Sequence, residues 1–264
     1  MKNNPTLPGI AGGRVLEIEV MDEEDDVAAY LDGVATAHLD RMDDTFVESA
    51  LRRLGARRPR VLDIGTGTGA IPVKMAKLRD DLTIVGVDMA PNMLEQARLR
   101  ARAAGLSRRV SFRKADTRHL PFADRTFDMV ISNSLMHHLP DPAPALDELA
   151  RVLKPGGAVF IRDLRRPRRD RVARHIARHG RFYKGTMHRL FADSVRAAFT
   201  VGEMKTIVGR TRLSGARVGR QMETYLTISS GPRSRRGKAP AGSASPSRDA
   251  RPRSTRASKR RAAR

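Results

Sequence analysis

The chain of 264 residues predicts a doubly wound α/β fold built on a mostly parallel sheet of seven strands, with an N-terminal helical appendage and a basic C-terminal tail. Three observations predict it. Short apolar runs alternate with segments of helical periodicity from about residue 60 to 165. Most of those runs stop at an Asp or Asn. The first is followed by glycines at alternate positions, Gly65, Gly67 and Gly69, and then by a helix.

Each element has its own justification. Arg60 to Ile64 is a short apolar run with Asp63 near its end, which reads as a buried parallel strand. Ala70 then opens a helix with Ile71, Met75 and Leu78 on its apolar side. The second strand spans 82–87 and ends at Asp88. Pro91 sits at a first helical position and Gly105 just past that helix's end. A third strand over 109–115 ends at Asp116, a fourth over 127–132 ends at Asn133, and a fifth over 156–163 ends at Asp163. Between the last two, Asp141 caps a helix with Pro142 in its first turn, which ends before Pro155-Gly156-Gly157. Beyond them come a basic segment with Val172, Ile176 and Phe182 on one side, a helix over 188–199, and a capping box from Thr200 to Glu203. Residues 216–221 and 223–229 make a final antiparallel edge pair. Ahead of the sheet domain (56–230), residues 1–55 form the appendage: strand-like alternation over 14–20, then two helices, Asp22 to Asp40 and Asp43 to Leu54. Tyr30, His38, Met42 and Phe46 fall on amphipathic faces there, where packing is the plainer reading and lining a pocket the sharper one.

A strand, a glycine turn and a helix N-terminus together make a cradle, because bare backbone allows close approach and the first helical N–H groups are unpaired. Two ligands suit it. Gly67-x-Gly69-Ala70 lies within a G-x-G-x-x-A pattern that also fits a dinucleotide, with Asp88 about 20 residues on as a ribose acceptor.

The later segments favour one ligand. VLDIGTGTGAI, VGVDMAPNMLEQAR, ADTRHLPFADRTFDMVISNSLMHHLPDP and LARVLKPGGAVFIRDL, in this order, resemble the class I S-adenosylmethionine-dependent methyltransferases of the methyltransferase type 11 group. The resemblance implies a Rossmann-like sheet, S-adenosyl-L-methionine as cofactor, and a set of roles. Asp63 would hold the methionine amino group, directly or through water. Gly65, Thr66, Gly67 and Gly69 would form the wall against methionine and ribose. Asp88 would accept both ribose hydroxyls, which suits an acceptor-only carboxylate. Met89 would pack on adenine, and Asp116 would accept from the adenine amino group with Thr117 beside it. Asn133 would sit at the methionine end, near the methyl. One departure is Ala90, where many relatives carry a capping Ser or Thr.

Methyl transfer from a sulfonium asks chiefly for alignment, with a base only where the acceptor must lose a proton. His137 and His138 follow the fourth strand and should point in different directions, and His138 is the candidate for contact with the acceptor. Asp163 is expected to pair with the arginines that follow it, and Arg189, Phe191, Asp193 and Arg196 are weak candidates for the acceptor pocket. The chain has no cysteine, which excludes disulfides and a cysteine methyl relay. No His, Asp and Glu cluster stands at metal-ligand spacing in the sequence, so no metal is expected.

Net charge is +22, unevenly spread. Residues 1–50 carry 3 basic and 12 acidic side chains, and 231–264 carry 12 basic and 1 acidic. That last segment is rich in Pro, Ser, Gly and Arg and cannot bury a core, so it reads as a disordered tail. It is either a grip on nucleic acid or a solvated extension, and it has no aromatic platform for stacking. No apolar run is long enough for a bilayer, and no signal-peptide core appears in the first 30 residues; a cytoplasmic location is the expectation. The function expected first is methylation of a small-molecule or lipid-like acceptor. Methylation of ribosomal or transfer RNA is the alternative, and a nicotinamide-dependent oxidoreductase or cofactor-binding regulator stands behind both.

Overall fold

The computed structural model describes residues 13–17 and 33–231, with the side chains of 37 onward described in the first helix. The described residues belong to one compact unit. Tyr30, residues 18–32 and the tail from 232 lie outside them.

Helix α1 (Gly33–Leu51) leads into the alternating core: β1 (Arg60–Ile64), α2 (Ala70–Leu78), β2 (Thr83–Asp88), α3 (Pro91–Ala103), β3 (Val110–Lys114), β4 (Phe127–Asn133), α4 (Ala143–Val152) and β5 (Leu153–Leu164). Then follow α5 (Val172–His179), α6 (Gly185–Ala197), α7 (Val201–Gly209), β6 (Arg217–Gln221) and β7 (Tyr225–Ser230). Seven strands form one sheet in the order β3-β2-β1-β4-β5-β7-β6. β1 to β5 are parallel, and β7 runs antiparallel to both β5 and β6. The strand order reverses between β1 and β4, and a ligand crevice belongs beyond the carboxyl ends there.

Alternation along the strands builds two cores. Val61, Ile84, Met129 and Ile131 face α1, α2 and α3, against Phe46, Met75 and Ala101. Leu62, Val85, Val130 and Ile161 face the other way, against Leu146 and Leu149 of α4 and Met204 and Ile207 of α7. Strands buried on both faces must be apolar throughout, which is why β1, β2 and β4 read as continuous hydrophobic runs. A third cluster gathers Ile176, Leu190, Phe191 and Val195 of α5 and α6 with Leu164 and Tyr225.

Caps and bounds mostly follow the sequence. Asp141 Oδ1 accepts from Ala143 N–H at 3.0 Å. Thr200 and Glu203 complete the capping box in both directions. Ala90 supplies no cap, and Asp88 Oδ1 takes the Ala90 N–H instead, at 3.0 Å.

Four expectations need correction. Leu78 does not join the apolar side of its helix: it is 67% exposed, because it sits in the last turn as the chain leaves the core. The break between Asp40 and Asp43 is absent. α1 runs unbroken through them, since neither Pro nor Gly interrupts that stretch, and the Thr45 hydroxyl bonds back to the Met42 carbonyl at 2.7 Å. Residues 13–17 have no regular secondary structure and join no strand; Val15 N–H donates to the Arg196 carbonyl at 3.2 Å instead. The fifth strand starts earlier than 156, at Leu153, absorbing Pro155-Gly156-Gly157 through a register shift opposite Phe127 and Met129. Among the described residues no helix is long and apolar enough to cross a membrane.

Candidate active site

At the carboxyl ends of the parallel strands lies a cavity of about 1030 Å³. Its floor is the loop from β1 to α2. Gly65, Gly67 and Gly69 all adopt left-handed backbone, with φ of 67°, 52° and 71°, which side chains resist. They do different work. A Cβ on Gly67 would meet nothing within 4 Å, so that position is open to the cavity. A Cβ on Gly69 would press on Ala97 and Phe112 at 2.8 Å, so its bareness lets α2 sit against α3 and the sheet. Gly65 and Gly67 line the cavity together with Thr66, and Gly69 does not.

The loop is tied down from below. Thr66 N–H donates to the Val87 carbonyl at 3.0 Å, and Thr66 Oγ1 donates to Asp63 Oδ2 at 2.7 Å. Asp63 is 1% exposed and lies behind the lining rather than on it. Burial, with Asp88 and Asp43 nearby, pushes its carboxyl up to about 7 against the pull of the Thr66 hydroxyl. Gly86, unremarked in the sequence, makes this arrangement possible: a Cβ there would strike Thr66 Oγ1 at 2.6 Å.

Asp88 ends β2 at the cavity edge. Its Oδ2 accepts from Gly67 N–H at 2.8 Å and its Oδ1 from Ala90 N–H at 3.0 Å. Two backbone donors thus fix a carboxylate at the mouth of the glycine loop. Met89 beside it is 40% exposed into the cavity, a large apolar side chain left uncovered. Asp116 and Thr117 line the next stretch. The Asp116 carboxylate already grips Arg118, through Nη2 at 2.7 Å and Nε at 3.0 Å, and that guanidinium holds it below the usual carboxylate range. A ligand's amino group would therefore share Asp116 with Arg118.

At the end of β4, Asn133 lines the cavity while its Oδ1 accepts from Arg162 Nε at 2.8 Å. Arg162 is wholly buried and spans the region: Nη1 donates to the Met42 carbonyl and to Thr45 Oγ1, and the guanidinium lies over the rings of Phe46 and Tyr225. Sequence reading missed Arg162, because an Arg at the end of an apolar strand looks solvent-bound until α1 covers it. Asp43, also unselected, lines the cavity from α1, and burial pushes its carboxyl up to about 6 against the pull of Arg162 and Lys74.

The turn after β4 gives the two histidines different surroundings, though their rings lie side by side. Ser134 takes φ 58°, and the chain then winds through one short helical turn, Met136–His138. His137 is buried away from the cavity, with Nδ1 2.5 Å from Asp163 Oδ1 and its N–H donating to Oδ2 at 3.1 Å. Asp163 thus pairs with His137 and not with the arginines after it; it points across to the β4 turn, while Arg166 meets Glu203. His138 faces the cavity, 4.1 Å from the His137 ring, with Nδ1 lacking a partner among the described residues. Burial first, then His137 and Arg14, holds the His138 imidazole well below its ordinary pKa. Arg14 clamps this turn, donating to the carbonyls of His137 (2.6 Å), Leu139 (2.9 Å) and Pro140 (3.1 Å).

The other pocket candidates go elsewhere. His38 stacks on Phe182, Met42 and Phe191 pack in the third cluster, Phe46 is core, and Asp193 pairs with Arg196. None of these, nor Arg189, lines the cavity.

The cavity fits the cofactor that the sequence resemblance implies. A carboxylate held by two N–H groups, an open left-handed glycine and an uncovered Met all line it, groups that an adenosyl moiety could use. A family model described as "Methyltransferase domain" matches residues 57–212, more than half of the chain. The chain is 43% identical over 105 residues to "Methyltransferase GfsG" of Streptomyces halstedii, covering 40% of this chain and 37% of that protein. It is 34% identical over 139 residues to "27-O-demethylrifamycin SV methyltransferase" of Amycolatopsis mediterranei, covering 53% and 48%. The chain therefore spans less than half the length of either relative. A solved structure, a SAM dependent methyltransferase from Aquifex aeolicus, shares the fold with TM-score 0.53 at 23% identity, over 73% of this chain and 96% of that one.

Proposed function

The chain belongs to the methyltransferase-domain family, of the class I S-adenosylmethionine-dependent type, and from that premise we propose that it transfers a methyl group from S-adenosyl-L-methionine to a small-molecule acceptor. The observation that carries the cofactor is Asp88, whose carboxylate is fixed by Gly67 and Ala90 before any ligand arrives. Bound S-adenosylmethionine supplies an electrophilic methyl on a sulfonium. Asp88 would hold the ribose hydroxyls, Met89 would cover the adenine face, and Gly65, Thr66 and Gly67 would lie against the chain between them. Asp63 would act through Thr66, and Asp43 and Asn133 would meet the polar methionine end.

His138 is the proposed catalytic residue. Its imidazole faces the cavity with Nδ1 unpartnered among the described residues, so it can accept a proton from an acceptor hydroxyl as the methyl passes from sulfur to that oxygen; burial lowers its pKa, which favours the uncharged ring and also makes it a weaker base. Asp163 and His137 form the rigid wall behind it. Asn133, anchored by buried Arg162, positions the other side. The small-molecule acceptor is supported by the rifamycin enzyme among the relatives and by apolar lining from Leu135, Leu139 and Ile71.

The test is transfer from methyl-labelled S-adenosylmethionine to separated small-molecule, RNA and protein fractions. Label in the small-molecule fraction is expected, and label confined to RNA or protein would overturn the acceptor class. In His138→Ala, turnover should fall by about 10²–10⁴ with S-adenosylhomocysteine affinity unchanged; unaltered turnover would remove His138 from the chemistry.

A further inference from the structure

A second cluster of polar side chains lies outside the cavity and has no part in the reading above. His175 and His179 stand one turn apart on α5, with ring centroids 4.4 Å apart. Nε2 of each ring is buried and has no hydrogen-bond partner among the described residues. Glu223, in the turn between β6 and β7, closes the third side. One donor atom from each residue lies within 4.8 Å of the other two, and Glu223 Oε2 is 3.7 Å from His179 Nε2.

Buried ring nitrogens ordinarily find a partner. Two imidazoles, each with a donor atom within 4.8 Å of one half-exposed carboxylate, have the makings of a cation site. Nitrogen and oxygen ligands bound at about 2.0–2.2 Å around a tetrahedral ion stand roughly 3.3 Å apart, so small side-chain rotations would bring this set to ligation distance. The sequence hid the cluster because Glu223 is far along the chain from the histidines; only the antiparallel return of β7 along β5 brings it back.

We propose that His175, His179 and Glu223 form a binding site for a divalent transition-metal ion of the zinc type, with water in the fourth position. Two imidazoles and one carboxylate with an open position are an established donor set for such an ion. Leu164, at the carboxyl end of β5, pairs with Tyr225, so the turn holding Glu223 lies at the cavity end of the sheet. The ion would tie α5 to that turn and brace the segment between β5 and β6. The exposed Arg178, whose Nη1 is 3.6 Å from Glu223 Oε2, is the group that must swing aside. Glu17, His137 and His138 also come within 4.8 Å of one another, but His137 is engaged by Asp163 and His138 faces the cavity, so they serve as the internal control.

The experiment uses the full chain without a histidine tag. Zn²⁺ titration by calorimetry is compared among wild type, His179→Ala, Glu223→Gln and His138→Ala, and Cu²⁺ bound to wild type is read by electron paramagnetic resonance. One ion per chain is expected, with affinity at least about tenfold weaker in His179→Ala and Glu223→Gln and unchanged in His138→Ala. The Cu²⁺ spectrum should report two nitrogen ligands. Absence of saturable binding to wild type, binding that survives His179→Ala, binding lost in His138→Ala, or a spectrum with fewer than two nitrogens would overturn the site. The spectrum uses no variant, so a folding defect in one of them cannot mask the result.

Discussion

Replacing Asp88 by Ala tests the proposed cofactor wall at the end of β2. In the folded chain Oδ2 of the carboxylate accepts from Gly67 N–H at 2.8 Å and Oδ1 from Ala90 N–H at 3.0 Å. An ionised carboxylate offers about four lone-pair sites, enough to serve backbone donors and a ribose diol together. Hydrogen bonds to a charged partner are worth about 1.5–3 kcal/mol each. Losing the pair to a bound ribose should therefore cost about 3–6 kcal/mol, or roughly 10²–10⁴ in affinity. Calorimetric titration with S-adenosylhomocysteine reads this directly. Asp88→Asn keeps the size and one carbonyl acceptor and should fall in between, at about tenfold or more. Thermal unfolding of both variants guards against a collapsed loop. A folded Ala variant that binds within about threefold of wild type would show that Asp88 holds the loop and nothing else.

The glycines should separate by role. Gly69→Ala should destabilise the fold by about 2–5 kcal/mol, since its Cβ meets Ala97 and Phe112 and its φ is positive as well, whereas Gly67→Ala should lose ligand affinity with a stability change of only about 1–2 kcal/mol, from its positive φ alone; equal effects on urea unfolding would contradict that division. For Asp63 the folded pKa, about 7, lies above the unfolded value of about 3.9. Its contribution to stability is therefore full below pH 4 and is lost as pH rises toward 7, by up to about 4 kcal/mol. Asp63→Asn should flatten the unfolding free energy of the ligand-free chain between pH 4 and 7 relative to wild type, and parallel profiles would refute the buried proton. Deleting 231–264 should leave S-adenosylhomocysteine affinity within about twofold; a large loss by calorimetry would mean that the tail reaches the cavity.

The sheet was readable in advance because its signals are local. The strands β1, β2 and β4 are buried on both faces and so must be apolar almost throughout, and several helix starts and stops use a residue with a fixed backbone habit, such as Pro91, Gly105 or the Thr200–Glu203 pair. Errors came where no local signal exists. α1 continues past Asp40 because the chain lacks a breaker there, and charged residues alone do not end a helix. Asp163 looked like a partner for the arginines beside it in sequence, yet the strand aims it at the β4 turn.

The sequence by itself determined the strand-and-helix alternation, the crevice at the glycine loop, and most of the residues that line it: Gly65, Thr66, Gly67, Asp88, Met89, Asp116, Thr117 and Asn133. Strand ends and tight turns fix those positions by local geometry, so spacing along the chain suffices. Only the tertiary structure decided that Asp63 and Gly69 stand behind the wall, that His138 and not His137 faces inward, and that Arg162, Arg14 and Glu223 matter at all. Those assignments depend on which surfaces meet across gaps of 26 to 126 residues, and burial and pairing at such range are properties of the packed chain rather than of any segment in it.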